Sequence, residues 1–380
     1  MIEHLIIEQQ TLIDICQRFA EKDVLAVDTE FVRTRTYFPK LGLIQLCDGE
    51  EVALVDPLSV DDLSPVWQLF ENPNIVKVLH ACSEDVEIFV NQGKCNLKNI
   101  IDSQIMMSFL GHGLSVGYAA MVQHYLDIEL DKSDSRTDWL KRPLTPSQLA
   151  YASADVTHLI KIYPKLLNDL KATSWFEAAI DETNLLIEKK QQVIDENTLY
   201  KNIKTSWRLS PKQLNNLKYL ARWRYQQAIK RDLPLSFVAK DTTLIMLAQH
   251  APKSTSAMLN LEGVDTLDVR HKGKQMLMVL KEARNVEPDN YPEKIKRLDQ
   301  FPGYKQLYKK IKDFVASVAE AQQQPVENFA SKKQINQLLS WYYGQNSSTE
   351  KIEVLATWRA ELFGDALLEH ANNQFKSLPL

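Results

Sequence analysis

Cysteine is scarce in this sequence, and no two cysteines form a Cys-x-x-Cys pair. The chain of 380 residues has four cysteines, which are Cys16, Cys47, Cys82 and Cys95. Neither a zinc site nor a disulfide framework is indicated. The N-terminal residues lack the basic region and long apolar run of a signal peptide. The sequence contains no run of about 18 apolar residues, the length that a membrane-spanning helix needs. We therefore expect a soluble, cytoplasmic protein with no membrane partner.

Acidic and basic residues are unevenly distributed along the chain. Residues 1–200 carry a net charge of −14, residues 201–284 carry +10, and the remainder is neutral. This asymmetry suggests that the first part binds cations and that the basic segment binds a polyanion such as nucleic acid. The alternative is that charge varies between domains for solubility alone. The overall composition, 44% hydrophobic and 25% charged, is that of an ordinary globular protein of two or three domains.

The stretch from Val24 to Phe31 has the pattern of a short buried β-strand. It carries Asp28 and Glu30 two residues apart, and side chains on a strand alternate, so both carboxylates leave the same face. Neighbouring anions at the end of an apolar strand repel each other and are costly to desolvate. A divalent cation between them would relieve both costs. The alternative is that the two charges simply reach solvent where the strand ends.

Three further acidic or polar candidates lie on two predicted helices. We expect Ser83 to cap a helix and to place Asp85 in its first turn, where a carboxylate could equally serve only the helix dipole. Thr145-Pro-Ser-Gln148 predicts a second helix start through a capping box. That helix carries Tyr151 and Asp155 four residues apart, so the two side chains share one face.

Asp28, Glu30, Asp85 and Asp155 together form the donor set that phosphodiester hydrolysis by two divalent ions requires. In this arrangement Asp28 bridges the two ions. Glu30 and Asp155 complete the site that activates a water, and Asp85 holds the ion at the leaving oxygen. Tyr151, whose ordinary pKa is about 10, is better suited to orienting the water than to deprotonating it.

The remaining pattern predicts a mixed α/β sheet followed by helices. Expected strands cover residues 4–7, 43–47, 52–55 and 75–79, with an Asp48-Gly49-Glu50 hairpin turn between the second and third. Pro164 is expected to kink or end its helix, and residues 171–200 are expected to be helical. Leu220-Ala-Arg-Trp-Arg224 resembles residues 355–359, and Gln213-Leu-Asn-Asn-Leu217 resembles residues 334–338. The two separations disagree, so they do not establish a duplication.

The motifs Asp28-Thr-Glu30-Phe-Val-Arg, His80-Ala-Cys-Ser-Glu-Asp85 and Tyr151-Ala-Ser-Ala-Asp155 resemble those of the bacterial ribonuclease D family, within the DEDD 3′→5′ exonuclease superfamily. Residues 34–46 and 130–139 are also similar to that family. The basic segment from Arg208 resembles the helicase-and-RNase-D C-terminal (HRDC) domain, a nucleic-acid-binding helical bundle.

The resemblance implies a ribonuclease-H-like α/β exonuclease domain (1–200), an HRDC domain (205–290) and a second HRDC-like bundle (293–372). It also implies dependence on Mg²⁺ or Mn²⁺ and trimming of tRNA-precursor and other structured RNA 3′ ends to 5′-mononucleotides. No obligate protein partner is implied. The tyrosine subtype places its tyrosine four residues before the last aspartate, as Tyr151 is placed here.

Several other residues are weaker candidates for RNA contacts, each of which could instead be structural. They are Arg33, Arg35, Gln45, Lys132, Arg222, Arg224, Lys230 and Arg231. We expect His80 to satisfy a hydrogen bond at a strand end and Trp223 to lie in a core. Two rival functions stay open on the residues alone. One is a DNA exonuclease, because the carboxylates do not contact the 2′-hydroxyl, and the other is a binding protein with an inactive nuclease fold.

Overall fold

The computed structural model describes residues 1–130, 137–345, 348–349 and 352–376. A six-stranded mixed sheet forms its first part, in the order β1-β4-β3-β2-β5-β6. The strands are β1 (Ile2–Ile6), β2 (Val24–Val32), β3 (Lys40–Cys47), β4 (Glu51–Val55), β5 (Val76–Leu79) and β6 (Ile100–Asp102). β2 pairs antiparallel with β3 and parallel with β5. The predicted central strand is therefore confirmed, one residue longer than expected.

β2 lies inside the sheet because its first half is wholly apolar. Leu25, Ala26 and Val27 are fully buried, which fits a strand covered on both faces. The predicted hairpin joins β3 to β4: the Asp48 carboxylate accepts hydrogen bonds from the main-chain N–H groups of Glu50 and Glu51. Gly49 occupies the positive-φ position of this turn, with φ of 97°.

Helices pack on the sheet through their apolar faces. They are α1 (Gln9–Phe19), α2 (Ser64–Glu71), α3 (Ser83–Ile88), α4 (Ser103–Met107), α5 (Tyr118–Leu126), α6 (Pro146–Lys171) and α7 (Phe176–Gln191). The capping box at Thr145 is present. Pro164 does not end α6, which continues to Lys171. The single helix expected over 171–200 is wrong at both ends, because the chain turns between α6 and α7 and α7 stops at Gln191.

The rest of the described chain is helical, as predicted. The helices are α8 (Pro211–Arg231), α9 (Leu235–Val238), α10 (Asp241–His250), α11 (Thr255–Leu259), α12 (Thr266–Ala283), α13 (Tyr304–Ala321), α14 (Val326–Phe329), α15 (Lys332–Tyr342) and α16 (Asp365–Asn372). Short 3₁₀ turns occupy Leu199–Asn202, Ser206–Arg208, Pro288–Asn290, Leu298–Gln300 and Glu353–Leu355. Wider π turns occupy Phe89–Gly93, Ser108–His112 and Ala360–Gly364.

The chain forms two compact units. The sheet unit contains residues 1–32, 40–192 and those from 301 onward, and the helical unit contains residues 33–39 and 193–300. Residues 33–39 connect β2 to β3 in the sequence, yet they belong to the helical unit. The C-terminal helices belong to the sheet unit and not to the preceding helices.

The two helical segments share a repeated element, but the sequence similarities noted above do not mark it. α9 and α14 are both four-residue helices that follow a proline and end at an alanine in extended conformation. By element order α8 corresponds to α13, and α10 corresponds to α15. The resemblance between residues 213–217 and 334–338 is therefore misleading, because it pairs the start of α8 with the start of α15. What those two starts share is a serine–glutamine capping box.

A buried arginine fastens the C-terminal helices within the sheet unit. Arg359 is 2% exposed, and its guanidinium donates to the main-chain oxygens of Phe329 and Asn328 at 2.6 and 3.0 Å. It also pairs with Glu182 of α7, which accepts a second hydrogen bond from the Trp358 indole at 2.9 Å. Charge-assisted bonds of this kind hold the C-terminal helices on α7. Among the described helices, none combines the length and apolar character needed to cross a membrane.

Candidate active site

β2 presents Asp28 and Glu30 on one face, as the alternation of a strand requires. In the pairing with β3, Asp28 lies opposite Gln45 and Glu30 lies opposite Leu43. The register shifts directly after Glu30, between Glu30 and Phe31. Bulges of this kind bend a strand and redirect its side chains, and they are common beside active sites. The pair of carboxylates therefore stands where regular pairing ends.

α6 brings a third carboxylate to this face. Oxygen atoms of Asp28, Glu30 and Asp155 all lie within 4.8 Å of one another. The capping box that begins α6 at Thr145 sets the register of the helix, and Asp155 follows in its third turn. Three carboxylates at this separation cannot all be ionised cheaply unless a cation lies between them.

The pKa values of the three carboxyl groups reflect this repulsion. Burial raises the pKa of Glu30 to about 9, with further repulsion from Asp155 and Asp85. Burial also raises the pKa of Asp155 to about 7, although a hydrogen bond from Tyr151 opposes the shift. The pKa of Asp28 is raised well above its ordinary value by burial and then by Asp155, Asp85 and Glu30. The site is therefore short of positive charge, which is the condition that a bound divalent cation corrects.

Asp85 lies next to this cluster and is held by two other residues. It is in the first turn of α3 and is 7% exposed. The Thr29 hydroxyl, from between the two β2 carboxylates, donates to it. Burial raises the pKa of Asp85 to about 6, and the bond from Thr29 works in the opposite direction. Ser83 does not cap α3: the helix begins at Ser83 itself and shows no side-chain cap.

Asp102, at the end of β6, supports the turn that precedes α3. Its carboxylate accepts hydrogen bonds from the main-chain N–H groups of Ala81 and Cys82, both at 2.9 Å. The same side chain caps α4 through the N–H of Gln104 at 2.8 Å. Ala81 has a φ of 57°, an uncommon conformation for a residue with a Cβ. Asp102 therefore fixes the backbone three to four residues before Asp85.

Two tyrosines contact Asp155. The Tyr151 hydroxyl hydrogen-bonds its carboxylate, and burial followed by the nearby carboxylates raises the pKa of Tyr151. This tyrosine therefore remains protonated and acts as a donor. The Tyr118 hydroxyl, from α5, donates to the main-chain oxygen of Asp155. His80 packs edge-on against the Tyr118 ring at 5.5 Å and hydrogen-bonds Ser103 and the Val116 main-chain oxygen.

Comparison with known proteins matches each part of the chain to a described family. Residues 4–171 match the 3′-5′ exonuclease model, residues 213–280 match the HRDC domain, and residues 302–367 match the C-terminal HRDC domain of ribonuclease D. Ribonuclease D of Escherichia coli K12 is 40% identical over 363 residues, covering 96% of both chains. Ribonuclease D of Cronobacter turicensis is 41% identical over 363 residues, covering 96% of this chain and 98% of its own.

A solved structure agrees over nearly the full length. The crystal structure of Escherichia coli RNase D superposes with a TM-score of 0.94 at 39% identity, covering 98% of this chain and 99% of that chain. The chain belongs to the ribonuclease D family. It is accordingly a 3′→5′ exoribonuclease that depends on divalent metal and acts on RNA. The two rival functions left open by the residues, a DNA exonuclease and an inactive binding protein, are not supported.

The donor set fits the divalent metal of a ribonuclease D. Carboxylate oxygens are the ligands that Mg²⁺ and Mn²⁺ prefer, and the cluster of Asp28, Glu30 and Asp155 supplies them at mutual distances that one ion can bridge. Thr29 bonds one carboxylate oxygen of Asp85, and the second oxygen of that carboxylate could serve as a metal ligand beside the cluster. Because the pKa values of these carboxyl groups are raised, a cation that binds the cluster would displace protons from it.

The candidate RNA contacts lie in different environments, and several of them are exposed. Arg33 and Arg35 are exposed on the 33–39 segment of the helical unit, and Lys230 and Arg231 are exposed at the end of α8. The Arg222 guanidinium lies over the Tyr219 ring at 4.8 Å. Lys132 falls outside the described residues. The exposed members of this set are placed where a polyanion could reach them.

Two of the candidates lie in the interior instead. Gln45 is fully buried, and among the described residues neither its amide oxygen nor its nitrogen has a hydrogen-bond partner. Arg224 is 7% exposed and donates to the Ala239 main-chain oxygen and the Asp241 carboxylate. For these two residues the structure shows the structural environment that the sequence left open as the alternative to an RNA contact, because the polar type of a side chain does not reveal its burial. Trp223 and His80 do have the structural roles expected of them.

Sequence reasoning missed Thr29, Asp102 and Tyr118. Asp102 had a usable signal, because an aspartate between an apolar strand and a helix is a common helix cap. Thr29 had a weaker one, its position between the two carboxylates. Tyr118 had none, since its contact with Asp155 depends on how α5 packs against α6.

Proposed function

We propose that this ribonuclease D homologue trims the 3′ ends of tRNA precursors and other structured RNAs in the cytoplasm, releasing 5′-mononucleotides. The observation that carries the proposal is the cluster of Asp28, Glu30 and Asp155 within 4.8 Å in a chain 40% identical to ribonuclease D of Escherichia coli. The solved structure of that relative is described as an exoribonuclease involved in structured RNA processing.

In this proposal Asp28, Glu30, Asp85 and Asp155 hold two divalent ions, Mg²⁺ or Mn²⁺. When bound, such a pair lowers the pKa of an attacking water and stabilises the leaving oxygen of the scissile phosphodiester. Asp28 has carboxylate neighbours on both sides, in Glu30 and Asp155, and its pKa is also raised by Asp85. This central position suits it to serve both metal positions.

Tyr151 orients the attacking water in the proposed reaction. Its raised pKa keeps the phenol protonated. Because its hydroxyl donates to Asp155, it holds the water by accepting one hydrogen bond from it and does not remove a proton from the water as a free base. The Asp155 carboxylate accepts from the Tyr151 hydroxyl, which fixes the direction in which the phenol points. Asp155 thus contributes one ligand atom and positions one polar neighbour.

Removal of Asp155 tests the catalytic assignment. A 5′-labelled RNA with an unstructured 3′ tail should shorten from its 3′ end with Mg²⁺ and remain intact with EDTA. If the carboxylate is a metal ligand, Asp155→Asn should lower the rate of shortening by at least about 10³-fold. The matched control is Asp169→Asn, on the same helix but bonded to Tyr125. Shortening by Asp155→Asn at the rate of Asp169→Asn would overturn the assignment.

The choice of substrate is tested separately. A tRNA precursor with a 3′ trailer should be shortened to the mature end, and a precursor with a single 2′-deoxy nucleotide at its 3′ end should react more slowly, since the 2′-hydroxyl distinguishes RNA from DNA. Equal rates on the ribose and deoxyribose ends would contradict the proposed preference for RNA over DNA.

The division into domains at 1–200, 205–290 and 293–372 also remains our proposal. The three family matches fall inside these limits. We propose that the two HRDC segments bind the RNA body while the exonuclease segment acts on its end.

A further inference from the structure

One aromatic side chain of the helical unit is exposed to solvent. Phe237, in α9, is 52% exposed, and no other phenylalanine, tyrosine or tryptophan of the described residues is exposed to this degree. Its ring contacts no other aromatic ring and no cation within the described chain. Val238, the next residue, is fully buried. The Phe237 ring is therefore presented on the surface by a short helix that its neighbour anchors.

Two cations lie beside this helix. The Lys272 ammonium, from α12, donates to the Phe237 main-chain oxygen at 2.8 Å. Burial lowers the pKa of Lys272, and the positive charge of Arg231, at the end of α8, lowers it further. Arg231 is therefore close enough to Lys272 to repel it. Neither cation forms an ion pair in the part of the chain that the structure describes.

The acidic residues near these cations already hold other partners. Asp268 is buried and accepts hydrogen bonds from a main-chain N–H and a threonine hydroxyl. Asp265 pairs with the Lys240 ammonium. Asp232 accepts from two main-chain N–H groups of residues 33–39. The surface therefore keeps positive charge that a polyanion could neutralise.

The position of Phe237 has a counterpart in the C-terminal helices. Phe237 is the third residue of α9, and Asn328 is the third residue of α14. Asn328 is buried, and its side-chain amide donates to the Ser108 main-chain oxygen at 2.9 Å. In each case a cation donates to the main-chain oxygen of this third residue, Lys272 to Phe237 and Arg359 to Asn328.

The two counterparts differ in what they meet. Arg359 pairs with Glu182 of α7, so this face of the C-terminal helices docks on the exonuclease segment through opposite charges. Lys272 stands at the corresponding place without an anionic partner among the described residues, and an exposed ring replaces the buried amide. By this comparison the face around Phe237 is a docking surface that fits an anionic partner.

We propose that the surface formed by Phe237, Lys272 and Arg231, in the segment that matches the HRDC domain, binds an unpaired stretch of the RNA substrate. One base stacks on the Phe237 ring, and neighbouring phosphates contact Lys272 and Arg231. Aromatic stacking combined with cations along the backbone is how proteins hold single strands without reading their sequence. The assignment rests on the proposed function for the identity of the RNA and names the surface that holds it.

Replacement of the ring tests base stacking. In EDTA, which prevents cleavage, fluorescence anisotropy of a labelled single-stranded RNA of about 12 nucleotides should show Phe237→Ala binding about tenfold more weakly than wild type, the loss of one stacked base. Phe237→Trp keeps an aromatic surface and should stay within about twofold. Met278→Ala is the control, because Met278 is 65% exposed and lies six residues beyond Lys272 on another side of α12.

An RNA with abasic residues separates stacking from a disturbed fold. This strand keeps its phosphates and lacks its bases, so Phe237→Ala and wild type should bind it with equal affinity. Weakening of Phe237→Ala by the same factor on the normal strand and on the abasic strand would show that the ring does not stack on a base, and it would overturn the proposal.

The phosphate contacts are tested by salt dependence. Arg231→Gln and Lys272→Gln should each reduce the slope of log affinity against log salt by about 0.7, the value for one phosphate contact on a single strand. Arg231 is exposed, so Arg231→Gln should leave thermal unfolding unchanged. A slope equal to that of wild type in both variants would exclude these phosphate contacts and overturn the proposal.

A protein with an acidic surface is the other partner that this charge would fit. Unchanged RNA affinity in Phe237→Ala, together with an unchanged salt slope in Arg231→Gln, would overturn the RNA assignment in favour of such a partner. These readouts need no metal and no cleavage. A failure to shorten tRNA precursors would therefore leave them readable and would count against the proposed function alone.

Discussion

The hydroxyl of Tyr118 donates a hydrogen bond to the main-chain oxygen of Asp155. The main-chain N–H of Leu159, the ordinary helical partner of that oxygen, also reaches the Tyr118 hydroxyl. Tyr118 thus joins two groups of α6 that usually bond each other. Tyr118 therefore ties α5 to the turn of α6 that carries Asp155.

Loss of this hydroxyl should slow catalysis without weakening RNA binding. Tyr118→Phe removes the hydrogen bond that ties α5 to this turn of α6, which loosens the placement of the Asp155 carboxylate relative to Asp28. We expect kcat to fall about three- to tenfold, the worth of one hydrogen bond, with KM unchanged. Steady-state kinetics at saturating Mg²⁺ would measure both. Tyr125→Phe, which loses a bond to Asp169, is the control and should change neither constant.

Removing a buried carboxylate should stabilise the metal-free protein. A carboxyl with a raised folded pKa favours folding at pH below its unfolded pKa of about 4, and this contribution is lost as pH rises through the folded pKa. For this cluster the window runs from about pH 4 to about pH 9, the pKa of Glu30. In EDTA at pH 8, Asp28→Asn should therefore increase the free energy of unfolding by roughly 1–2 kcal/mol.

Metal should reverse that effect. With Mg²⁺ the wild-type cluster gains a cation that Asp28→Asn holds less well, so the difference should shrink or change sign. Thermal unfolding with and without EDTA would measure it, with Asp169→Asn as the control that changes little in either condition. A destabilised Asp28→Asn in EDTA would show that the carboxylates do not repel one another as described.

Metal binding should release protons at neutral pH. Because the pKa values of Asp155 and Glu30 are raised to about 7 and about 9, the cluster holds protons that a divalent ion must displace. Titration of Mn²⁺ by calorimetry in two buffers of different ionisation enthalpy should report net proton release at pH 7, and affinity should rise from pH 6 to pH 8. Affinity independent of pH over this range would contradict the raised pKa values.

Asp102 should support both stability and catalysis. Asp102→Ala leaves the N–H groups of Ala81, Cys82 and Gln104 without their acceptor. We expect a loss of about 2–3 kcal/mol in the free energy of unfolding and a lower kcat through misplacement of Asp85. Urea unfolding and single-turnover kinetics would measure these. Asp62→Ala removes an exposed acceptor for the Ser64 N–H and should cost less than about 1 kcal/mol.

The buried Arg359 should be needed to hold the C-terminal helices in the sheet unit. Arg359→Ala leaves Glu182 without its cation and two main-chain oxygens without their donor. The free energy of unfolding should fall by about 3–5 kcal/mol. Limited proteolysis should then cut the 301–376 segment more rapidly. Lys189→Ala breaks a more exposed pair with Glu353 and should alter the digestion little. Equal digestion of the two variants would contradict the role of Arg359.

Local rules were enough to predict half of the site. The period of a strand placed Asp28 and Glu30 on one face, and a capping box fixed the helix on which Tyr151 and Asp155 lie four residues apart. These relations depend on residues close together in sequence, where backbone geometry alone decides which side chains meet.

The remaining parts depend on packing between distant segments. The contacts of Thr29 with Asp85 and of Tyr118 with Asp155 join different elements, so no local pattern marks them. The membership of residues 33–39 in the helical unit arises from Asp232, nearly two hundred residues away. The expected helix over 171–200 failed because apolar spacing continues across the turn between α6 and α7.

Anomalous diffraction from crystals grown with Mn²⁺ tests the central claim most directly, because it locates the ions without relying on activity. The account predicts one peak among the carboxylates of Asp28, Glu30 and Asp155 and a second between Asp28 and Asp85, with both lost in Asp28→Asn. Mn²⁺ peaks elsewhere, or none at this cluster under conditions where the crystals degrade RNA, would contradict it.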